Sequence, residues 1–479
     1  MNTLFLILSS FTWFVSFTDK QGSTEICLSE RALELRDRWN IAIDSLDYEV
    51  SPIYLDSLRA HGLTVMTTSR WMNGATVTGT AAQIQSIDSL PFVQYTELTR
   101  SGYGRGANSP GRLKRTVQQY TPAYIETATV VSDAQLALYN LTPLHELGFQ
   151  GQDILMTVCD GGFYNSDIVS GLQYDSLCQG WFDFTDDGTD IFRSPDGRHG
   201  TSCLSCIVGK RNNYKGAATN AKYYLMRSEE ANTESPKEAD NWISAVEKCD
   251  SLGVQVMSTS LGYFYFDNSS WDWNYQMMNG QTVRASRAAT IAARKGMLIV
   301  VAAGNEGSDS WHYISVPADA DSILTVGAVN SQGDIAPFSS YGPTYDGRIK
   351  PEACAVGWST YLFYADDGSI YTSNGTSFAC PLLAGMAASL WSALPSLPAQ
   401  TIRQLIIESG SYYDQPDAHY GYGIPDAYRA YLAGLQLLPT EELTLPYLKN
   451  IRSEKVLIHG QIRIRRGNKL YDLLGNIVQ

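Results

Sequence analysis

Five short apolar runs punctuate the middle of this chain: Ile154 to Cys159, Ala221 to Met226, Val254 to Ser258, Met297 to Ala302 and Ile323 to Val329. Stretches of helical period alternate with them or follow them, at His199 to Val208, Lys237 to Leu252, Gln281 to Lys295, Ser377 to Trp391 and Ala399 to Ser409. Apolar strands alternating with helices mean a parallel sheet covered by helices, an α/β, doubly wound and mostly parallel fold. Such a fold places its chemistry just beyond the ends of strands.

At 479 residues the chain is too long for one ordinary core, and about 100–200 residues per domain suggests two or three. Leu4 to Phe11 is an apolar segment too short to span a bilayer, no later run reaches about 18 apolar residues, and residues 1–11 read as an export signal. Where that signal ends is open. Ser16 and Thr18 are small residues before a cut at Asp19, but Thr12 to Phe17 equally suits a first strand. Residues 12–98 read as a small α+β module in the order strand, helix, helix, strand, strand, helix, strand. Its helices are Ser29 to Trp39, Pro52 to Ala60 and Ala81 to Leu90, and its later strands Leu63 to Thr67, Gly74 to Thr78 and Phe92 to Thr96. Residues 99–128 turn to Gly, Ser, Pro, Arg and Thr, with the basic run Arg112-Leu113-Lys114-Arg115, as in an exposed linker that is readily cut. The α/β domain takes 129–437, a proline-punctuated spacer 438–454, and alternating residues with glycine turns make a β-rich tail of 455–479.

Reactive groups stand at two strand ends and one helix start. Asp160 closes the first apolar run and is followed by Gly161-Gly162, a carboxylate held where sheet meets turn. His199, one of six histidines, opens a helix with Gly200-Thr201. Asn374-Gly375-Thr376-Ser377-Phe378-Ala379-Cys380-Pro381 puts a serine at the start of a small and apolar helix, where unpaired N–H groups and the positive helix end gather. Pro381 is expected near the first turn, where a missing N–H costs least. Together the three residues supply an attacking hydroxyl, a base for its proton and a carboxylate that fixes the base's tautomer.

In that order of Asp, His and Ser, and in the motifs Gly375 to Pro381 and His199-Gly200-Thr201, the sequence resembles the subtilisin-like serine proteases over about Gln152 to Ala433. Two departures are modest: Cys159-Asp160-Gly161-Gly162 alters the turn after the aspartate, and Ser202 replaces a second histidine found in many members. The resemblance implies catalytic Asp160, His199 and Ser377, and an oxyanion donor in Asn305, within Ile299-Val300-Val301-Ala302-Ala303-Gly304-Asn305-Glu306-Gly307. It implies substrate-binding edges at Ser260, Leu261 and Gly262 and at Ala302, Ala303 and Gly304. The α+β module then looks like a prodomain that inhibits its own enzyme, and the product is a secreted endopeptidase acting on proteins or peptides. The tail resembles the sorting tail of Bacteroidetes proteins exported by the type IX secretion machinery, which implies passage through the periplasm to the outside or the cell surface. Rival readings are a dedicated processing protease of surface proteins and a binding module that keeps the fold without turnover.

A net charge of −14 argues against nucleic-acid partners. Eight cysteines suit an oxidising compartment, but loss of the first hundred residues removes Cys27 and leaves an odd number. Cys203 and Cys206 read as packed core thiols, since no second such pair completes a metal site, and a Cys354–Cys380 bridge is open. No cofactor or metal is called for. Calcium is a lesser alternative at Asp183, Asp186, Asp187, Gly188 and Asp190, which lack a closing glutamate. The loop Ser308 to Pro317, with Trp311 and His312, is where the floor of the specificity pocket is expected, with Glu306 at its rim. Glu229, Glu230 and Glu234 read as a solvated loop, with added negative charge along the cleft as the alternative.

Overall fold

The computed structural model describes residues 11–101, 130–231, 233–439, 453–458, 461–466 and 469–471. Residues 1–10, the basic run of the linker and most of the spacer lie outside the described residues. The first unit runs β1 (Phe11–Phe17), α1 (Glu30–Arg38), α2 (Pro52–Ala60), β2 (Thr64–Ser69), β3 (Gly74–Gly79), α3 (Ala81–Ile87) and β4 (Val93–Arg100). Its four strands form an antiparallel sheet in the order β2-β3-β1-β4. Val15 and Phe17 enter a core with Leu58, Val77 and Ile87, while Phe14 points from the other face toward the rest of the chain. β1 pairs on both sides, so a cut before Asp19 would remove a central strand; Thr12 to Phe17 is fold, not leader.

The second unit is larger. Its strands are β5 (Leu155–Asp160), β6 (Cys178–Asp183), β7 (Lys222–Arg227), β8 (Val256–Thr259), β9 (Leu298–Ala302), β10 (Leu324–Val329) and β11 (Ala353–Val356). All seven are parallel, in the order β11-β10-β9-β8-β5-β7-β6. The apolar runs are apolar throughout because both sheet faces are covered: along β9, Leu298 and Val300 enter one core, Ile299 and Val301 the other. On the first face lies α4 (Arg198–Val208), whereas α5 (Pro236–Leu252) and α6 (Arg284–Arg294) cover the second. A hairpin of β12 (Thr360–Phe363) and β13 (Ile370–Ser373) leads into α7 (Thr376–Ala393), which joins α4 on the first face, followed by α8 (Ala399–Glu408) and α9 (Ala427–Leu437). By length and composition α7 meets the requirement for a membrane span, against the reading that no later run does, yet that stretch is 89% buried inside the fold.

Sequence periodicity missed β6, β11 and α9. β6 is an edge strand whose residues alternate between half-buried and exposed, and Gly180 interrupts its pattern. The tail holds a three-stranded antiparallel sheet, β14 (Ser453–Ile458), β15 (Gln461–Arg466) and β16 (Lys469–Tyr471).

The first unit sits on α5 and α6 through a seam rich in ion pairs. Arg36 and Arg70 both grip Asp250, at 2.7 and 2.8 Å. The Glu247 carboxylate accepts from Ser69 Oγ and from the backbone N–H groups of Arg70 and Trp71. Lys295 holds Asp47 at 2.6 Å, and Arg284 pairs with both Asp240 and Glu97.

Candidate active site

Asp160 ends β5 where the strand order reverses, with β7 and β6 on one side and β8 to β11 on the other. That is the switch point at which open α/β sheets leave a crevice. Its buried carboxylate accepts from the Gly161 N–H at 2.8 Å, and its two oxygens lie 2.8 and 3.0 Å from His199 Nδ1. An acceptor-only carboxylate on Nδ1 draws the proton to that nitrogen, leaving Nε2 as a base. Gly200 makes the approach possible. A Cβ there would stand 2.2 Å from the Gly162 carbonyl oxygen and 2.9 Å from Asp160 Cβ.

Ser377 is the second residue of α7. The helix starts at Thr376, so Pro381 falls in the second turn and not the first, and the N–H it lacks is the one that would bond the Ser377 carbonyl. Ser260 Oγ donates to that carbonyl oxygen instead at 2.7 Å, with the Cys203 thiol at 3.3 Å. Cys203 Sγ also lies 3.8 and 3.9 Å from the two ring nitrogens of His199, and the imidazole packs against Phe378. Histidine and serine are thereby brought to one place through a shared neighbour. Among the described residues no hydrogen bond joins His199 to Ser377 Oγ; such bonds are often long before substrate binds. Burial pushes the Cys203 thiol well up, so it stays protonated, an inert packing group.

Asn305 stands in the loop after β9. Its amide oxygen accepts from the Thr376 N–H at 2.8 Å and from Thr376 Oγ1 at 3.0 Å. A backbone N–H only donates, so this contact fixes which way the amide faces. Among the described residues the amino group has no partner, on an exposed residue one loop from Ser377. Sequence reasoning did not anticipate Thr376 as its clamp, nor the buried Glu306 beneath it. Glu306 accepts from the Asn305 N–H at 2.8 Å and from Ser340 Oγ at 3.0 Å, and burial pushes its carboxyl up to about 7. Gly304 has φ 114°, and a Cβ there would lie 2.5 Å from Glu306 Oε2.

The expected substrate edges divide. Ser260 is buried with its hydroxyl committed to Ser377, whereas Leu261 and Gly262 are half-exposed just past β8. The side chains of Ala302 and Ala303 enter the cores on opposite faces of the sheet, so any wall they form is backbone, with Gly304 beyond. In the expected pocket floor, Trp311 stacks on Phe264 at 4.5 Å and His312 on Tyr341 at 4.9 Å. Glu306 is buried against Ser340, not open at a rim.

Several weaker expectations change. Glu229 and Glu230 are buried, not solvated: Tyr263 Oη donates to Glu229, and Lys237 pairs with Glu230 at 2.6 Å. The acidic loop suggested for calcium turns its carboxylates to cations of the chain, Asp183 and Asp187 to Arg227, Asp186 to Arg100. All eight cysteines are free. Cys354 faces the carbonyls of His419 and Tyr420, whereas Cys380 faces those of Thr259 and Val300, so the two are not bridged.

The sequence profile of the Subtilase family matches residues 151–423, and that of the Bacteroidota peptidase S8 propeptide domain matches residues 12–111. Serine protease AprX of Bacillus subtilis (strain 168) is 26% identical over 339 residues, covering 64% of this chain and 71% of that protein. Subtilisin DY of Bacillus licheniformis is 28% identical over 285 residues, covering 58% and 90%. Among solved structures, MycP1 from the ESX-1 type VII secretion system superposes with a TM-score of 0.52 at 20% identity, over 65% of this chain and 89% of that one, a likeness of fold alone.

Proposed function

The chain belongs to the subtilase family, a serine protease made as a proprotein, and from that premise we propose that Asp160, His199 and Ser377 hydrolyse peptide bonds through an acyl-enzyme. In this reading Ser377 attacks the carbonyl carbon, His199 Nε2 takes the hydroxyl proton and returns it to the leaving amine, and Asp160 steadies the imidazolium. The Asn305 amino group and the Ser377 N–H meet the developing oxyanion. Leu261, Gly262 and the backbone of 302–304 border the substrate. The observation that carries the reading is the double approach of the buried Asp160 carboxylate to His199 Nδ1, on the strand end beside Ser377. The test is labelling of the secreted protein by a serine-directed fluorophosphonate. Wild type is expected to be labelled once its first unit has been removed, and His199→Ala and Ser377→Ala are not; equal labelling of all three would overturn the assignment.

We further propose that the first unit inhibits the enzyme until cut off, and that the protein is exported through the periplasm to the exterior or cell surface. Within this reading the enzyme works without a cofactor, Asp183 and Asp187 of the loop suggested for calcium being paired with Arg227 of the same unit. The hairpin tail, β14 to β16, would be read by the type IX secretion machinery. Deleting residues 455–479 is expected to leave active enzyme in the periplasm; unchanged export would reduce the tail to an appendage.

A further inference from the structure

Arg100, the last residue of β4, lies in the span matched by the propeptide profile and docks into the catalytic unit. Its guanidinium meets Asp186 in a two-pronged contact, each nitrogen to one carboxylate oxygen at 3.0 Å, and Glu230 Oε2 lies 2.7 Å from the same fork. Both anions have other supports. Asp186 stands in a loop stapled by Arg227, which bonds Asp183, Asp187 and the Thr189 carbonyl. Glu230, its side chain 4% exposed, also takes Lys237 on Oε1 and Thr233 Oγ1 on Oε2, while its own N–H is held by Glu238. Removing Arg100 therefore leaves two carboxylates that share the one buried lysine, Lys237 at 3.5 Å from Asp186 and 2.6 Å from Glu230, a net-anionic place whose fork a guanidinium fits better than an ammonium.

The place borders the active cleft. Asp160 on β5 is paired in register with Arg227 on β7, and the chain reaches Glu230 three residues later, at the same edge of the sheet. Glu229 beside it accepts from Tyr263 Oη, one residue past the substrate edge at Leu261 and Gly262. Any cut that separates propeptide from catalytic unit comes after Arg100, which puts Arg100 on the amino-terminal side of the bond broken. Resting on the protease reading above, we propose that Asp186 and Glu230 form a subsite for an arginine side chain of the protein substrate, amino-terminal to the scissile bond, which Arg100 fills in the precursor.

The experiment steps a single arginine through each position of an otherwise neutral quenched peptide, with alanine and lysine controls, and measures kcat/KM with matured wild-type enzyme. One position several residues before the cut is expected to favour arginine over alanine by about 10–100-fold, the worth of a charge-assisted hydrogen bond or two, with lysine between and the preference shrinking in high salt. In Asp186→Asn the arginine-to-alanine ratio is expected to fall toward one, where a merely structural defect would lower both peptides alike. Cleavage without preference at any position overturns the subsite, as does a preference that Asp186→Asn leaves intact. Loss of the preference on adding calcium would give the place to a metal ion and overturn it too. No cleavage of any peptide would defeat the protease reading together with the subsite.

Discussion

The two helical layers on the large sheet differ in kind. α7, on the face that carries Ser377, contains no charged residue and is buried along nearly its whole length. α5, on the opposite face, buries Glu247 and Asp250 against Arg36 and Arg70 of the first unit, neither more than 5% exposed. The difference follows from what each face must do. α7 packs against the rest of its own domain and never needs to separate, so small and apolar residues suffice. The covering of α5 is a unit read as removable, and an apolar face there would be left sticky once uncovered. Charges solve that problem: they are specific while paired and soluble when parted. Desolvating them gives back much of the gain, so the seam is selective more than it is tight. A cavity of about 350 Å³ lies along this seam between Tyr95, Asp240, Trp273 and Arg284.

The strongest test of the comparison is to stop the seam from opening. In Ser377→Ala the nucleophile is gone, and activity should fall by the roughly 10⁶-fold that this loss costs in a subtilisin. The precursor should persist with its first unit attached, visible as one uncut band on a gel. Normal maturation of this variant in a host without other proteases would break the link between the two faces.

Next come paired substitutions, made in that uncut background, that ask each layer to behave as described. Leu383→Ala empties a fully buried site on α7 and should cost about 2–5 kcal/mol, lowering the melting of the whole catalytic unit. Asp250→Asn strips a partner from both Arg36 and Arg70, and breaking such a buried pair costs about 3–5 kcal/mol. That loss should appear as earlier release or melting of the first unit, with the catalytic unit's own transition unmoved. If Asp250→Asn instead lowers both transitions together, the seam is part of the core and the distinction fails.

Asn305→Ala probes the cleft between the layers. It should reduce turnover by about 10²–10³-fold with substrate binding nearly unchanged, the cost of losing such a donor in a subtilisin. Steady-state kinetics on a peptide library would check it; a rise in KM alone would mean that Asn305 holds substrate, not the oxyanion.

Most of the fold could be read from the sequence because strands covered on both faces are apolar at every position. Edge strand β6, covered on one side only, carries too weak a pattern. Asp160, His199, Ser377 and Asn305, the proposed site, stand out in the sequence through short motifs, and the structure sets the Asp160 carboxylate against His199 and the Asn305 amide against Thr376. The side chains that hold them do not stand out. Pro381 has meaning only once the helix start at Thr376 is known, because it is the missing donor to Ser377 that admits Ser260 and Cys203. Glu247 and Asp250 lie on α5 as ordinary polar residues of an amphipathic helix, and nothing local to them announces Arg70 far upstream. Long-range pairing of charges leaves no periodic trace.

Glu306 gives the smallest effect and the one that depends on pH. Burial raises its carboxyl from 4.5 to about 7, while the Asn305 N–H and Ser340 Oγ donate to one of its oxygens. A carboxyl raised by folding is more protonated folded than unfolded between those values, so stability falls as pH rises across that window. Its contribution is present in full below about 4.5 and is lost as pH rises through about 7. Glu306→Gln keeps an oxygen for both donors and cannot ionise. Melting temperatures of inactive protein between pH 5 and 8 should therefore fall less steeply in Glu306→Gln than in its parent. Because Glu306 lies on the loop that carries Asn305 and not on the seam, the change should follow the catalytic unit's transition. Equal slopes would mean that Glu306 is ionised throughout, with Asn305 held by a fixed negative charge.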